Sequence, residues 1–206
     1  RVHERLPAGR LMRADELAAL AGEVRGLAAR CGTTTVLVID GPSGSGKSTF
    51  ATRLAEATGA GLLRLEDMYP GWDGLDEGTQ RLVDDVLAPL ARGEQATVRR
   101  WDWHAMRECE REPLNTAALL VVEGVGAGSR AAAPFVSLLI WLEADTEERY
   151  ARAIARDGET YLGHWDRWAA QEQVTFAREG TRDRADRRCQ TDDDAWQASW
   201  RPTSDA

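Results

Sequence analysis

The chain has 206 residues, 43% of them hydrophobic and 29% charged, which suits one globular domain with a substantial core and leaves no room for a second full domain. Its formal net charge of −8 argues against nucleic acid or an anionic membrane surface as a partner, because both attract summed positive charge. Without a long apolar run, a secretory signal or paired cysteines, we expect a cytoplasmic chain with reduced thiols and no zinc site, and a homo-oligomer stays open.

The first predicted elements surround a glycine-rich loop. Apolar residues at helical spacing predict a leading amphipathic helix over 14–30, within the segment 1–31. The β-branched run Val36-Leu37-Val38-Ile39-Asp40 predicts a strand, and residues 48–57 predict a helix closed by Gly59. The octet Gly41-Pro42-Ser43-Gly44-Ser45-Gly46-Lys47-Ser48 therefore lies at a strand-to-helix junction, where a Walker A phosphate-binding loop (P-loop) belongs.

The octet has the residue types that phosphate binding needs. Its glycines allow a tight turn whose N–H groups face an anion, and the Ser48 hydroxyl is suited to ligate Mg²⁺. Lys47 is the only lysine among 26 basic residues, and it stands where a flexible ammonium serves better than a planar guanidinium. The alternative is a Gly/Ser-rich connector with a surface lysine. The predicted ATP-binding residues are Gly41, Ser43, Gly44, Ser45, Gly46, Lys47, Ser48 and Thr49.

The later elements alternate between strands and helices. Apolar runs predict strands over 62–65, 119–122 and 136–142, a β-rich piece covers 97–103, and helical patterns cover 79–90, 146–156 and 164–179. This order around a P-loop predicts an α/β fold with a doubly wound, mostly parallel sheet of the P-loop NTPase type. Residues 1–206 would form one domain, with a helical lid and late helices over 145–180 and a mobile tail over 193–206.

Three acidic residues stand where a predicted strand ends. Asp40 directly precedes the P-loop, and a structural hydrogen bond is the preferred interpretation over ligand contact. Glu123 follows four apolar residues and is expected in the Mg²⁺ shell, the alternative being a solvated loop glutamate. Asp67 is the candidate base for an attacking hydroxyl, and its alternative role is capping the next segment.

Four segments together resemble one family. The P-loop octet, Glu66-Asp67-Met68-Tyr69, Trp101-Asp102-Trp103 and Glu123-Gly124-Val125 occur in the order found in uridine kinase and related small-molecule kinases, over about residues 34–190. The resemblance implies that Asp67 is both the base and a metal ligand, matching the aspartate of that family's Asp-x-Phe-Tyr segment. It also implies that Glu123 lies near Mg²⁺, so the predicted metal ligands are Ser48, Asp67 and Glu123.

The same resemblance suggests acceptor residues. Asp73 matches an aspartate that binds ribose hydroxyls, although the connection is shorter here, and Trp101 matches an aromatic residue that contacts the base. The family's following histidine and arginine have other spacings, and His104 is the nearest match to that histidine. With Tyr69 of the second segment, the predicted substrate-binding residues are Tyr69, Asp73, Trp101 and His104.

Three arginines precede a glycine-bounded segment. Arg149, Arg152 and Arg156 lie at steps of three and four, on one face of the helix predicted over 146–156. For Arg152 and Arg156 we expect a catalytic role in a lid that closes on the triphosphate, since the resembling family has arginines at the same spacing. For Arg149 we prefer a solvated ion pair with neighbouring glutamates.

The sequence thus predicts an ATP- and Mg²⁺-dependent kinase that moves the γ-phosphoryl group to a hydroxyl of a nucleoside or similar small molecule. One alternative is a regulatory or accessory ATPase without a small-molecule acceptor. The other is a nucleoside monophosphate kinase, because the P-loop preceded by Ile39-Asp40 also resembles cytidylate kinase.

Overall fold

The computed structural model describes residues 14–191 and 197–200. The chain in these ranges forms a six-stranded sheet and a separate two-stranded hairpin. Within the same ranges, none of the helices combines the length and the apolar character that a membrane crossing needs.

The six-stranded sheet has the order β2-β5-β1-β6-β7-β8. All neighbouring strands are parallel except β7 and β8, which pair antiparallel. The strands are β1 (Thr35–Asp40), β2 (Gly61–Arg64), β5 (Leu119–Glu123), β6 (Leu138–Glu143), β7 (Arg187–Gln190) and β8 (Gln197–Trp200). The hairpin consists of β3 (Thr97–Asp102) and β4 (Arg107–Pro113).

The central strand β1 is buried along its whole length because both faces of the sheet are covered. Val36 and Val38 belong to the core on one face, whereas Leu37 and Ile39 belong to the core on the other. Alternate residues of a strand point to opposite faces, so one apolar run supplies two cores. The predicted doubly wound, mostly parallel sheet is confirmed.

The helices lie around this sheet. They are α1 (Ala14–Arg25), α2 (Lys47–Thr58), α3 (Leu75–Arg81), α4 (Ala88–Ala91), α5 (Thr146–Asp157), α6 (Glu159–Leu162), α7 (Trp165–Glu179) and α8 (Thr181–Arg184). A π-helical segment, Leu82–Leu87, joins α3 to α4, and short 3₁₀ helices cover Leu65–Met68 and Ala133–Phe135. The predicted helix over 79–90 therefore begins earlier, at Leu75, and changes its winding midway.

Two predictions about the ends of the chain have different outcomes. The leading helix α1 lies within the predicted range 14–30. Residues 1–13 of the predicted segment 1–31 are outside the described residues. Of the predicted mobile tail over 193–206, the part 197–200 is the edge strand β8, which pairs with β7 from Arg187↔Trp200 to Gln190↔Gln197. The remaining tail residues lie outside the described ranges.

Candidate functional site

The P-loop lies at the carboxyl end of β1, between that strand and α2. The Lys47 ammonium is buried beneath the loop and donates a hydrogen bond to the Pro42 carbonyl, with 3.0 Å between the two atoms. Burial lowers the pKa of Lys47, and the nearby carboxylates of Glu123 and Glu172 oppose that shift. The predicted solitary ammonium is thus held inside a negatively charged surrounding.

Gly44 shows why the loop needs glycine. Its φ angle is +79°, and a Cβ atom there would stand 2.2 Å from the carbonyl oxygen of Arg149 in α5. A side chain at this position would therefore be strained and would collide with the helix backbone. The P-loop and α5 are in direct contact, which the sequence pattern did not reveal.

Asp40 organises two loops from inside the protein. Its fully buried carboxylate accepts hydrogen bonds from the backbone N–H groups of Gly41, Gly126 and Gly128, at 2.7, 3.0 and 2.9 Å. Burial raises the pKa of Asp40 to about 6, against the opposing effect of these donors and of Lys47. The preferred structural role of Asp40 is confirmed, because it ties the P-loop to the loop after β5.

Glu123 has the geometry expected of a metal-shell carboxylate. It ends β5, in register with Ile39 of β1 and Arg64 of β2, and it is buried. Its side chain is hydrogen-bonded to Ser48, while its Oε1 atom has no hydrogen-bond partner in the described part of the protein. Burial raises the pKa of Glu123, and Lys47 opposes the shift.

These two residues fit Mg²⁺. The Arg64 Nε atom lies 3.8 Å from Glu123 Oε1, beyond hydrogen-bond distance, so this buried carboxylate oxygen has an ion-pair neighbour and no hydrogen-bond donor. A bound cation would complete its coordination, and the Ser48 hydroxyl beside it supplies a second oxygen ligand. No group of three His, Cys, Asp or Glu side chains with metal-site geometry occurs among residues 14–191. Mg²⁺ in phosphotransferases commonly uses one or two carboxylates together with substrate phosphates and water.

The two acids of the 3₁₀ helix after β2 face different partners. The predicted base, Asp67, is ion-paired with Arg100 of β3, which also bonds Glu112 at 2.7 Å. Glu66 instead interacts electrostatically with Lys47 and Glu123, and its carboxylate forms no hydrogen bond within the described chain. Both acids line the same cavity.

Glu66 is a residue that sequence reasoning missed. In the Asp-x-Phe-Tyr segment of the resembling family, the acid stands three positions before the tyrosine. Counted back from Tyr69, that position is Glu66, whereas Asp67 is one position closer. The spacing from Tyr69 could therefore have identified Glu66 as the counterpart of that family's acid. The match of Asp67 to that acid relied on residue type alone.

The cavity beside the P-loop has a volume of about 550 Å³. Lys47, Ser48 and Glu123 lie on its phosphate side, and Arg156 and Asp157 close another side. Five aromatic residues form what we call the aromatic wall: Tyr69, Trp72, Trp103, Tyr161 and Trp168. They come from the loop after β2, the β3–β4 hairpin, α6 and α7, so they converge only in the folded chain.

Among the predicted acceptor residues, only Tyr69 lines the cavity. Asp73 is ion-paired with Arg167 and its side chain is 69% exposed. His104 is exposed in the turn between β3 and β4, and the Trp101 ring lies against the backbone of Gly71. The structure places Asp73, Trp101 and His104 outside the cavity lining and brings Trp103 to it, so the substrate-binding role of these three residues stays a prediction.

Two of the three arginines of α5 lie elsewhere than expected. Arg156 lines the cavity, where both carboxylate oxygens of Asp157 accept its hydrogen bonds. Arg152 is outside the cavity lining and donates hydrogen bonds to Glu148 at 2.8 Å and to the Thr191 carbonyl at 2.8 Å, so its catalytic role stays a prediction. Arg149 is no solvated surface residue, since it donates to the Ser43 carbonyl at 3.1 Å.

The helical segment over 145–180 holds Ser43 by all its polar groups. The Ser43 N–H donates to the buried Glu172 carboxylate at 2.8 Å. The Ser43 hydroxyl accepts from the Trp168 indole at 3.0 Å and is hydrogen-bonded to Tyr161. With Arg149 on the carbonyl, residues of α5, α6 and α7 fix one P-loop position. About 130 residues separate Ser43 from Glu172, so no local sequence signal indicates this network.

Comparisons with known proteins agree with this geometry. Residues 37–167 match the family model described as "AAA domain". A cytidylate kinase from Ignicoccus hospitalis is 27% identical over 150 residues, which cover 70% of this chain and 77% of that protein.

Two solved structures share the fold. One, from Bacillus stearothermophilus, has a name that suggests a uridine kinase; it has a TM-score of 0.59 at 19% identity and covers 84% of this chain and 96% of its own. The other, from Silicibacter sp. TM1040, has a name that suggests a fructose transport system kinase; it has a TM-score of 0.56 at 21% identity, with coverages of 82% and 94%. The predicted nucleoside-kinase-like P-loop fold is therefore confirmed.

Proposed function

The chain belongs to the AAA domain family, and from the cavity beside its P-loop we propose that it is an ATP-dependent kinase that transfers the γ-phosphoryl group to a hydroxyl of a small molecule. The observation that carries the proposal is the cavity in which the buried Lys47 and Ser48 face two carboxylates, Glu66 and Glu123, across from the aromatic wall. Such a cavity has room for the end of a triphosphate and for an acceptor beside it.

In this proposal each residue has a separate task. The P-loop amides and Lys47 hold the phosphates. Glu66 accepts the proton of the acceptor hydroxyl while the hydroxyl oxygen bonds to the γ-phosphorus and the bond from the γ-phosphorus to the leaving ADP breaks. Asp67 stays the competing candidate for the base. Arg156, which donates hydrogen bonds to Asp157, supplies positive charge at the cavity edge when its guanidinium also contacts the phosphates.

Ser48 and Glu123 are the residues that would hold Mg²⁺, with Glu66 or the predicted Asp67 as a further carboxylate. A bound Mg²⁺ would offset charge that develops on the transferring phosphoryl group.

One observation favours a second candidate, a nucleoside monophosphate kinase, namely the likeness to a cytidylate kinase. That reaction needs cations for the acceptor's own phosphate. In the described part of the cavity lining the cations are Lys47, on the phosphate side, and Arg156, which Asp157 already engages. The charge of the cavity therefore supports an unphosphorylated acceptor.

The test is ADP release by the purified chain with Mg·ATP and a panel of nucleosides, sugars, amino alcohols and nucleoside monophosphates. The proposal requires ADP release that depends on an alcohol acceptor, with equimolar phosphorylated product identified by mass spectrometry. Turnover restricted to monophosphates would favour the second candidate, and hydrolysis independent of any acceptor would favour the regulatory ATPase.

A further inference from the structure

The aromatic wall offers few hydrogen-bond donors to a ligand. The Tyr69 hydroxyl donates to the Val125 carbonyl at 2.8 Å, and the Trp103 indole donates to the Glu66 carbonyl at 3.1 Å. The Trp168 indole donates to Ser43 and Glu172, and the Tyr161 hydroxyl is hydrogen-bonded to Ser43. Four of the five aromatic residues thus present rings, with their polar atoms already satisfied by the chain.

The rings are arranged around Trp72. His164 stacks on one face of Trp72, with 4.4 Å between centroids and an interplanar angle of 14°. Trp103 and Tyr161 approach Trp72 at tilted angles, and Trp168 approaches it edge-on. Since His164 covers one face, the contact of Trp72 with the cavity comes from the remainder of its ring, and the neighbouring rings keep it in place.

The charged groups of the cavity are mostly acids. Four carboxylates line it, those of Glu66, Asp67, Glu123 and Asp157, against the two cations Lys47 and Arg156. Even with Glu123 reserved for Mg²⁺, Asp157 paired to Arg156 and Asp67 paired to Arg100, the Glu66 carboxylate remains in the cavity lining, next to Trp103 in space. Carboxylates accept hydrogen bonds and donate none when ionised. A complementary acceptor molecule therefore carries donors and positive charge.

Provided that the proposed kinase activity is correct, we infer that the acceptor is a hydroxyl-bearing organic cation, an amino alcohol whose ammonium group lies between the aromatic wall and the carboxylates. Aromatic faces attract cations through the ring quadrupole, and adjacent carboxylates strengthen that attraction. The carbonyl acceptors of a nucleoside base edge would instead need directional donors, and this wall has largely used its donors within the chain.

The experiment compares isosteric acceptors. The amine 2-amino-3-phenylpropan-1-ol and the neutral alcohol 2-methyl-3-phenylpropan-1-ol differ by one ammonium group, as do choline and 3,3-dimethylbutan-1-ol. ADP release with Mg·ATP should give a kcat/KM higher for the amine in at least one pair, by about tenfold or more. Equal or faster turnover of the neutral partner in both pairs, or turnover of uridine or fructose alone, would overturn the inference while leaving the kinase proposal standing.

A binding measurement separates this inference from the kinase proposal. If no alcohol is phosphorylated, the kinase proposal fails, and tryptophan fluorescence still tests the wall, since Trp72, Trp103 and Trp168 line the cavity. The amine should then perturb the fluorescence at lower concentration than its neutral partner; identical titrations would refute the cation site.

Two variants locate the effect. Trp103→Phe should reduce the preference for the amine severalfold, because phenyl rings attract cations less than indole does. Trp101→Phe is the matched control two residues earlier, near the end of β3 and outside the cavity lining, and should keep the preference. Trp72→Phe is a second cavity variant, and a preference unchanged in both cavity variants would contradict the inference.

Discussion

The phosphate side of the cavity and the aromatic wall are built in different ways. The phosphate side uses consecutive residues of the P-loop. The carboxylates of Asp40 and Glu172 hold this loop by accepting hydrogen bonds from the N–H groups of Gly41 and Ser43. The aromatic wall collects single residues from the loop after β2, the hairpin, α6 and α7. The comparison teaches that one side of a cavity can be encoded by a short segment of sequence, whereas the opposing aromatic wall depends on how distant segments pack. Under the proposed function, the first would bind ATP and the second would select the acceptor.

The largest effect is expected on the phosphate side. Lys47→Ala removes the cation buried under the P-loop, and turnover should fall by about 10³-fold with every acceptor, because charge on the transferring group loses its preorganised partner. Lys47→Arg is the matched control and should rescue little, since a guanidinium is planar and bulkier. ATP affinity by calorimetry, unchanged in Lys47→Ala, would contradict the phosphate assignment.

The next effect distinguishes the two acids at the border between the sides. Glu66→Gln should lower kcat by about 10²-fold or more if Glu66 accepts the acceptor's proton, with ATP affinity nearly retained. Asp67→Asn is the paired variant and should cost far less, because Asp67 is already engaged by Arg100. The reverse order of the two kcat values, measured at saturating ATP, would return the role of the base to Asp67.

A stability measurement tests whether the buried Asp40 carboxyl group contributes to the free energy of unfolding. The pKa of Asp40 rises from 3.8 to about 6 on folding, so the folded protein holds this proton more tightly than the unfolded chain does. The resulting stabilisation is present below the unfolded pKa and is lost as the pH rises through about 6. The loss amounts to at most about 3 kcal/mol.

Urea unfolding of the wild type and of Asp40→Asn at pH 4 and pH 7 would measure this contribution. The wild type should lose more stability than the variant between the two pH values, because asparagine does not titrate. An identical pH response of the two proteins would show that Asp40 keeps the same pKa in the folded and unfolded states.

The sequence predicted the phosphate side well because strand, loop and helix are adjacent in the chain. It also placed Glu123 correctly, since a carboxylate after a buried strand has to lie at the carboxyl edge of the sheet. It did not place Asp73 and His104 relative to the cavity, because their positions depend on where α7 and the hairpin pack. The same tertiary packing decides that Trp103 reaches the cavity and Trp101 does not.

The smallest effect is expected from Asp73→Asn. Unchanged kinetics in this variant would show that Asp73 does not bind the acceptor. The side chain is 69% exposed and paired with Arg167 at the surface, and exposed ion pairs contribute at most about 1 kcal/mol. Both kcat and the KM of the preferred acceptor should therefore stay within about twofold of the wild type. A KM raised tenfold or more with kcat unchanged would mean that Asp73 binds the acceptor, and that the surface pair with Arg167 opens when the acceptor arrives.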